Sequence, residues 1–406
     1  MKSSLCVCRP AMPPTDAPAP VVVSPSFLVA SFATVPDPRR RQGTRYPLAA
    51  LLALSVVAIL SNCTSVLAIA QFGADAPLAL RQALGLPAGK VPRQSTLQRL
   101  FAKLNPDTLI AVLARACGQV VPAPPVRASQ GVAIDGKAQR GRLAADQTAG
   151  TVHGLSAYCH GVGIVLSQAP IVHAADKAEA ELTVTPEVIA SVDWHNRVLT
   201  GDALFCQRNI CQQVWEAEGD YLILVKANQG TLYDNIRLLF EDPDPAATLT
   251  DRREATTVDY GHGRIADTRH LIASTDLVGY LDWPHHAQVF RWERTWTEKG
   301  TPHHAIRYGI TSLPPQVADA PDLLAIKRAH WQIENQLHRP KDVTLDEDAS
   351  LIHCGFGPDI LAILRNLVLS LLHHAGITTI AAQLRHFSRH PDEALLLLVD
   401  FSPQNA

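Results

Sequence analysis

The chain is short of charge, methionine and paired cysteines. Charged residues make up 18% of its 406 positions and methionine occupies two. The eight cysteines (Cys6, Cys8, Cys63, Cys117, Cys159, Cys206, Cys211 and Cys354) form no CxxC pair, so neither a structural zinc site nor a disulfide framework is signalled. Scattered thiols in a chain of this size suit a reducing cytosol. The longest apolar run, Leu48 to Leu60, covers 13 residues including Ser55. It falls short of the ~18 that suggest a membrane span and starts too far along the chain for a signal peptide, so a buried helix is expected. No GxSxG elbow, Walker loop, Rossmann glycine fingerprint or HExxH helix occurs, and no internal repeat is evident.

What is present is a core and an uneven charge. Hydrophobic residues reach 47%, which excludes disorder of the whole chain. The formal charge is only −2, yet it is divided. Residues 1–127 hold thirteen Lys or Arg against four Asp and no Glu, giving +9. Residues 128–406 hold 23 basic and 34 acidic residues, giving −11. Such a split is expected where one part meets a polyanion and another holds cations. The basic residues run from Lys2 to Arg127, so a basic tail alone does not account for them.

Element signals divide the chain further. Residues 1–26 carry Pro10, Pro13, Pro14, Pro18, Pro20 and Pro25 with little to bury, and read as a disordered leader whose start codon is open to revision. Residues 27–120 read as all-helical. Pro47 opens a helix through Leu60, further segments cover Ser65–Phe72 and Ala76–Leu84, Ser95 caps another, and Asn105-Pro106 opens the last. Ahead of the first long helix, Arg39, Arg40, Arg41 and Arg45 form a cationic patch in a turn.

Residues 121–128 are a proline-rich linker. From Gly131 strands and helices alternate, so an α/β layered domain is expected over 128–376. Residues 250–313 are β-rich and read as an insertion within it. Leu323 to His338 reads as a helix whose end Pro340 limits. Ile360 to Leu372 is an apolar amphipathic helix with Gly376 just past it, and 377–406 reads as a helical tail.

Three acidic residues stand out by context. Asp135 follows an apolar strand in AIDGKAQRGR, Asp202 follows another in VLTGDALFCQ, and Glu334 lies on the helix AHWQIENQLH beside Ile326, Ile333 and Leu337. Ligands gather at strand ends of open α/β sheets. If the Glu334 helix packs on the sheet, three carboxylates converge. A site of carboxylates without thiolate favours Mg²⁺ or Mn²⁺ and phosphodiester chemistry. An Asp-Gly pair after a strand is also an ordinary turn. A rival reading places zinc on His330, Glu334 and His338, which recur every four residues on one helix face. Lys341, seven residues after Glu334, reaches a phosphate if the helix persists, and is a solvated residue if Pro340 breaks it.

The residues at this point resemble a family: the bacterial insertion-sequence transposases of the H-repeat-associated (ISAs) type, within the DDE superfamily. The resemblance rests on PDPRRRQGTRYPLAALLAL, AIDGKAQRGR, TGDALFCQ, YLILVKANQGTLYDNI, YGHGRIADTRH and HWQIENQLHRPKDVTLDEDAS followed by ILAILRNLVLSLL, collinear over roughly residues 27–400. It implies a ribonuclease H-like mixed sheet flanked by helices, with a β-rich insertion and an all-helical N-terminal domain. It implies that Asp135, Asp202 and Glu334 are the catalytic, metal-holding triad of a Mg²⁺- or Mn²⁺-dependent enzyme that cuts element ends and joins them to target DNA. Lys226 and Asn228 match recurrent family positions, as does Gly261-His262-Gly263-Arg264. DNA contact is the role expected for Lys226 and Arg264, alongside Arg39, Arg40, Arg41, Arg45 and Lys341. Asp342 and Asp348 match acidic positions expected to be structural.

Arg339-Pro340 stands where the family often has an apolar residue or Trp, and His353-Cys354 where basic residues are common. Both departures are expected to weaken DNA contacts. The resemblance further implies a homodimer, no membrane partner and a cytoplasmic, nucleoid-associated location. A catalytically silent DNA-binding remnant and a ribonuclease H-like nuclease without strand transfer are the competing readings.

Overall fold

A computed structural model describes residues 26–40, 44–87, 90–138, 153–171, 177–241, 249–261 and 264–403. The leader up to residue 25 and Arg41 lie outside them, and of Arg264 only the backbone is described.

The amino-terminal helices are α1 (Phe27–Ala33), α2 (Leu48–Leu60), α3 (Val66–Asp75), α4 (Leu78–Ala83), α5 (Gln94–Phe101) and α6 (Pro106–Val120). All of α2 except Ala49 is buried, as an all-round apolar helix must be. Asn105 caps α6, its side chain accepting from the Thr108 N–H at 3.1 Å, with Pro106 where its missing N–H costs nothing. Ser95 does not cap α5: the helix starts one residue earlier, with Arg93 at the cap.

The strands are β1 (Gln130–Ala138), β2 (His153–Cys159), β3 (Ile164–Ile171), β4 (Arg197–Gly201), β5 (Asp220–Val225), β6 (Arg253–Gly261), β7 (Arg264–Ser274), β8 (Gln288–Glu298) and β9 (Thr301–Thr311). They form one mixed sheet in the order β3-β2-β1-β4-β5-β9-β8-β7-β6. β1, β4 and β5 run parallel, and every other neighbouring pair is antiparallel. The β-rich stretch is therefore not a separate layer. β9 pairs with β5, so the β6–β9 meander extends the same sheet.

Helices α7 (Lys177–Ala190), α8 (Arg208–Glu216), α9 (Gly230–Glu241) and α10 (Ala320–Ala329) pack on this sheet, and α6 lies across β3. The linker is stitched down by Arg197, whose buried guanidinium donates to the carbonyls of Val121 and Pro122 at 2.7 and 3.0 Å. α12 (Gly357–His374) packs on β3 and on α2, and α14 (Pro391–Asp400) packs on α1 and α2. α12 and α14 thus close over the amino-terminal helices, and α13 (Ile380–Phe387) packs on α14. At that seam Arg365 of α12 donates to the Thr64 carbonyl at 3.1 Å.

Pro340 does not end the glutamate helix. Past α10 the chain winds one π-turn, Ile333–His338, and continues as α11 (Arg339–Val343). Pro340 cannot donate to the Gln336 carbonyl four residues back. His373 Nε2 takes that carbonyl instead, at 2.9 Å.

Candidate active site

The parallel register builds the first half of the site. Ala133 pairs with Thr200 across β1 and β4, and two residues further on along each chain come Asp135 and Asp202. Side chains two apart share a sheet face, so the carboxylates arrive at one level on adjacent strands. β1 does not stop at Asp135. It runs on to Ala138 against β2, pairing Asp135 with Ser156, so Asp135-Gly136 is strand and not turn. Asp202 is the first residue past β4, and its Oδ1 accepts from the Leu204 N–H at 2.8 Å.

The π-turn supplies the other half. Extra residues of this kind often mark functional sites because they re-aim side chains. Glu334 and His338 lie within the turn, and His338 Nδ1 stands 3.2 Å from Glu334 Oε2 and 3.5 Å from Asp135 Oδ2. Ligand atoms of Asp135, Glu334 and His338 all fall within 4.8 Å of one another. Asp135, Asp202 and Glu334 line one trough of about 1200 Å³, open to solvent.

The electrostatics show that negative charge is concentrated here. Burial pushes the Asp135 carboxyl up to about 6; His338 opposes this, while the Glu181 and Asp202 carboxylates add to it. Glu334 is held below its usual range by its hydrogen bond to His338, with Lys137 assisting. Carboxylates that crowd one another and oxygen donors that converge are the donor set a divalent cation relieves, so the residues present fit one.

The rival zinc set is not assembled. His330 is partly buried in the lining of the trough, and its Nδ1 is hydrogen-bonded with Thr200 Oγ1 at 3.1 Å. His160 Nε2 meets the same hydroxyl at 3.1 Å. Burial lowers both rings, to about 3 and about 4, so both stay neutral.

The remaining candidates scatter. Lys226 is half-exposed, its Nζ 3.9 Å from Asp202 Oδ2. Arg40 and Arg45 are exposed. Arg39 is committed locally, its guanidinium on Asp37 and on the Tyr46 carbonyl at 2.8 Å. Contrary to expectation, Lys341 does not face the DNA side. The helix persists, but it carries Lys341 inward, where the ammonium is buried 3.2 Å from Glu347 Oε2 and presents nothing to a phosphate. Asp342 holds Lys137 beside the site.

Sequence reading passed over the far wall of the trough: Trp292, Arg294 and Trp296 of β8, Arg307 of β9, and Lys327 and Trp331 near the end of α10. The signal was there in QVFRWERTW, where Trp292, Arg294 and Trp296 alternate and so share a face.

Comparison with known proteins bears on this geometry. A family model described as Transposase DDE domain matches residues 126–371, and one described as DDE_Tnp_1-associated matches residues 29–115. The chain is 27% identical over 358 residues to "Putative transposase YncI" of Escherichia coli O157:H7, covering 84% of this chain and 86% of the relative. It is 25% identical over 363 residues to "H repeat-associated putative transposase YhhI" of Escherichia coli strain K12, covering 85% and 90% respectively.

Proposed function

Because the chain belongs to the DDE transposase family, we propose that Asp135, Asp202 and Glu334 are its catalytic carboxylates and that they hold Mg²⁺ against a DNA strand. The protein is a DDE-type transposase, and DNA is its substrate. The observation that carries the assignment is the convergence of the three carboxylates in one trough, from two strands and a helix distant in sequence. A pair of divalent cations, when bound, would supply the Lewis acidity for phosphoryl transfer and neutralise charge on the leaving oxygen.

The chain's own residues do the rest. His338 orients Glu334 and Asp135 and keeps Glu334 ionised. Lys137, fixed by Asp342, adds positive charge beside Glu334. Lys226 reaches DNA phosphate beside Asp202, and Arg40 and Arg45 add to the sequence-independent attraction of the +9 amino-terminal part.

The fold reading goes with it. The order β3-β2-β1-β4-β5, with β1, β4 and β5 parallel, supports a ribonuclease H-like catalytic domain over about 128–376. β6–β9 are its β-rich insertion, and residues 27–120 are an associated helical domain. A homodimer on paired ends belongs to the same reading, and sizing the protein–DNA complex tests it.

The deciding experiment uses DNA carrying the ends of the mobile element. Wild-type chain with Mg²⁺ cuts it and joins pre-cleaved ends to target DNA. Asp135→Asn binds the same DNA and does neither; cleavage that survives this change ends the assignment.

A further inference from the structure

Lys327 is a buried cation without an acidic partner. It sits on α10, 6% exposed, with its ammonium 5.3 Å from the centre of the Trp292 ring. Among the described residues no carboxylate makes an ion pair with it. Its charged neighbours are cations. Burial first, then Arg307, Arg269 and Arg294, press its pKa down to about 8, so at neutral pH it is still charged.

The surrounding acids are already taken. Asp267 holds Arg269 and Arg294 at 2.8 and 2.7 Å, and Asp259 holds Arg328 at 2.7 Å together with Arg269. Three guanidiniums thus share two carboxylates. Arg307 makes a hydrogen bond to the Ile306 carbonyl, at 2.8 Å, and no ion pair among the described residues. A buried charge left unpaired is costly, and here several like charges are gathered around one. Lys327 opens both onto the trough of Asp135, Asp202 and Glu334 and onto an adjoining recess of about 880 Å³ between Trp292 and Trp331.

We propose that Lys327, with Arg307 and Arg294 beside it, is an anion seat for a DNA backbone phosphate next to the one being cut. The identity of the occupant rests on the function proposed above; the seat itself rests on the uncompensated charge. The phosphate supplies the missing counter-charge, and the neighbouring indoles keep water from screening it. The seat is distinct from the carboxylate cluster, which binds cations. It fixes the strand's position along the trough and takes no part in bond breaking.

The test is the salt dependence of duplex binding by the full chain, read by fluorescence anisotropy in chelator so that no cleavage occurs. Lys327→Met should flatten the slope of log affinity against log salt by about one phosphate contact. Lys327→Arg should keep the wild-type slope. A wild-type slope in Lys327→Met overturns the seat; loss of cleavage in Asp135→Asn would then leave the catalytic reading standing. A second measurement needs no variant. Acetic anhydride labelling of the wild-type chain, read by mass spectrometry, should mark Lys327 in free protein and spare it when DNA is bound. Labelling that DNA does not change overturns the proposal. Protection by inorganic phosphate but not by DNA overturns the proposed occupant.

Discussion

His338 Nδ1 lies 3.2 Å from Glu334 Oε2, and the π-turn that contains both residues also brings the same nitrogen within 3.5 Å of Asp135. One imidazole therefore orients two carboxylates that come from different elements. Removing an orienting partner of this kind typically costs ten- to a hundredfold in metal affinity. His338→Ala should weaken Mn²⁺ binding by roughly that factor in calorimetry on the DNA-free chain, with the fold intact by circular dichroism. Unchanged affinity would make the contact incidental.

Asp135 sets the acid limit of the site. Its carboxyl is raised to about 6 by burial and by neighbouring negative charge, and only the ionised form binds a cation well. Metal affinity should therefore be level above about pH 6 and fall as pH drops through it, well before an ordinary aspartate would protonate. A Mn²⁺ titration whose affinity holds down to pH 4 would contradict this.

Thr200 bridges two neutral histidines with a single hydroxyl proton. It can donate to only one ring, so the other ring must donate to it. Thr200→Val is nearly the same shape but leaves both ring nitrogens without that partner in a buried place. A loss of about 2 kcal/mol is expected in denaturant unfolding. A variant as stable as wild type would mean that water replaces the hydroxyl.

Gly136 is required by contact, not by backbone angle. A Cβ there would stand 2.3 Å from Glu181 Oε1, and the neighbouring residue is Asp135. Gly136→Ala should cost roughly 1–3 kcal/mol, as overpacking does. It should also depress cleavage more than DNA binding, because what must give is either Glu181, whose charge acts on Asp135, or the strand that carries the aspartate. Equal losses in both assays would point to general unfolding instead.

Lys327 should cost stability where it serves binding. Its folded pKa of about 8 lies below the usual 10.5, so the charged form is disfavoured by folding. The penalty is full below pH 8 and fades as pH rises toward 10.5. Lys327→Met should accordingly raise stability by on the order of 3 kcal/mol at pH 7 and by much less at pH 10. A melting temperature that falls at both pH values would mean that the ammonium is well paired in solution.

The acidic trio stood out because each residue sits in a motif, but the register of β1 and β4 that brings Asp135 and Asp202 level depends on pairing between strands that the sequence does not display. The reach of β1 past Asp135 was not legible. Val132-Ala133-Ile134 ends there as an apolar run, and the polar residues that follow are held by pairing with β2, which a window along one strand does not see. Pro340 misled for a related reason. The rule that proline stops a helix assumes that the freed carbonyl goes unsatisfied, and here His373 satisfies it from a helix more than thirty residues away. Lys341 followed from that: the helix did continue, but burial against Glu347 depends on a turn of chain no periodicity places. Lys327 carries no mark in the sequence that sets it apart from other basic residues, and only the sheet beneath it shows that it is enclosed.

The seam between α2 and α12 couples the two halves of the chain. In this chain an apolar helix from the front half is wedged into the back half, and Arg365 reaches across to Thr64. A product that began after the linker would leave the α2-facing side of α12 uncovered, with Arg365 keeping Glu347 but losing the Thr64 carbonyl, and would be open to proteolysis. The two halves of the chain are thereby expected to persist only together.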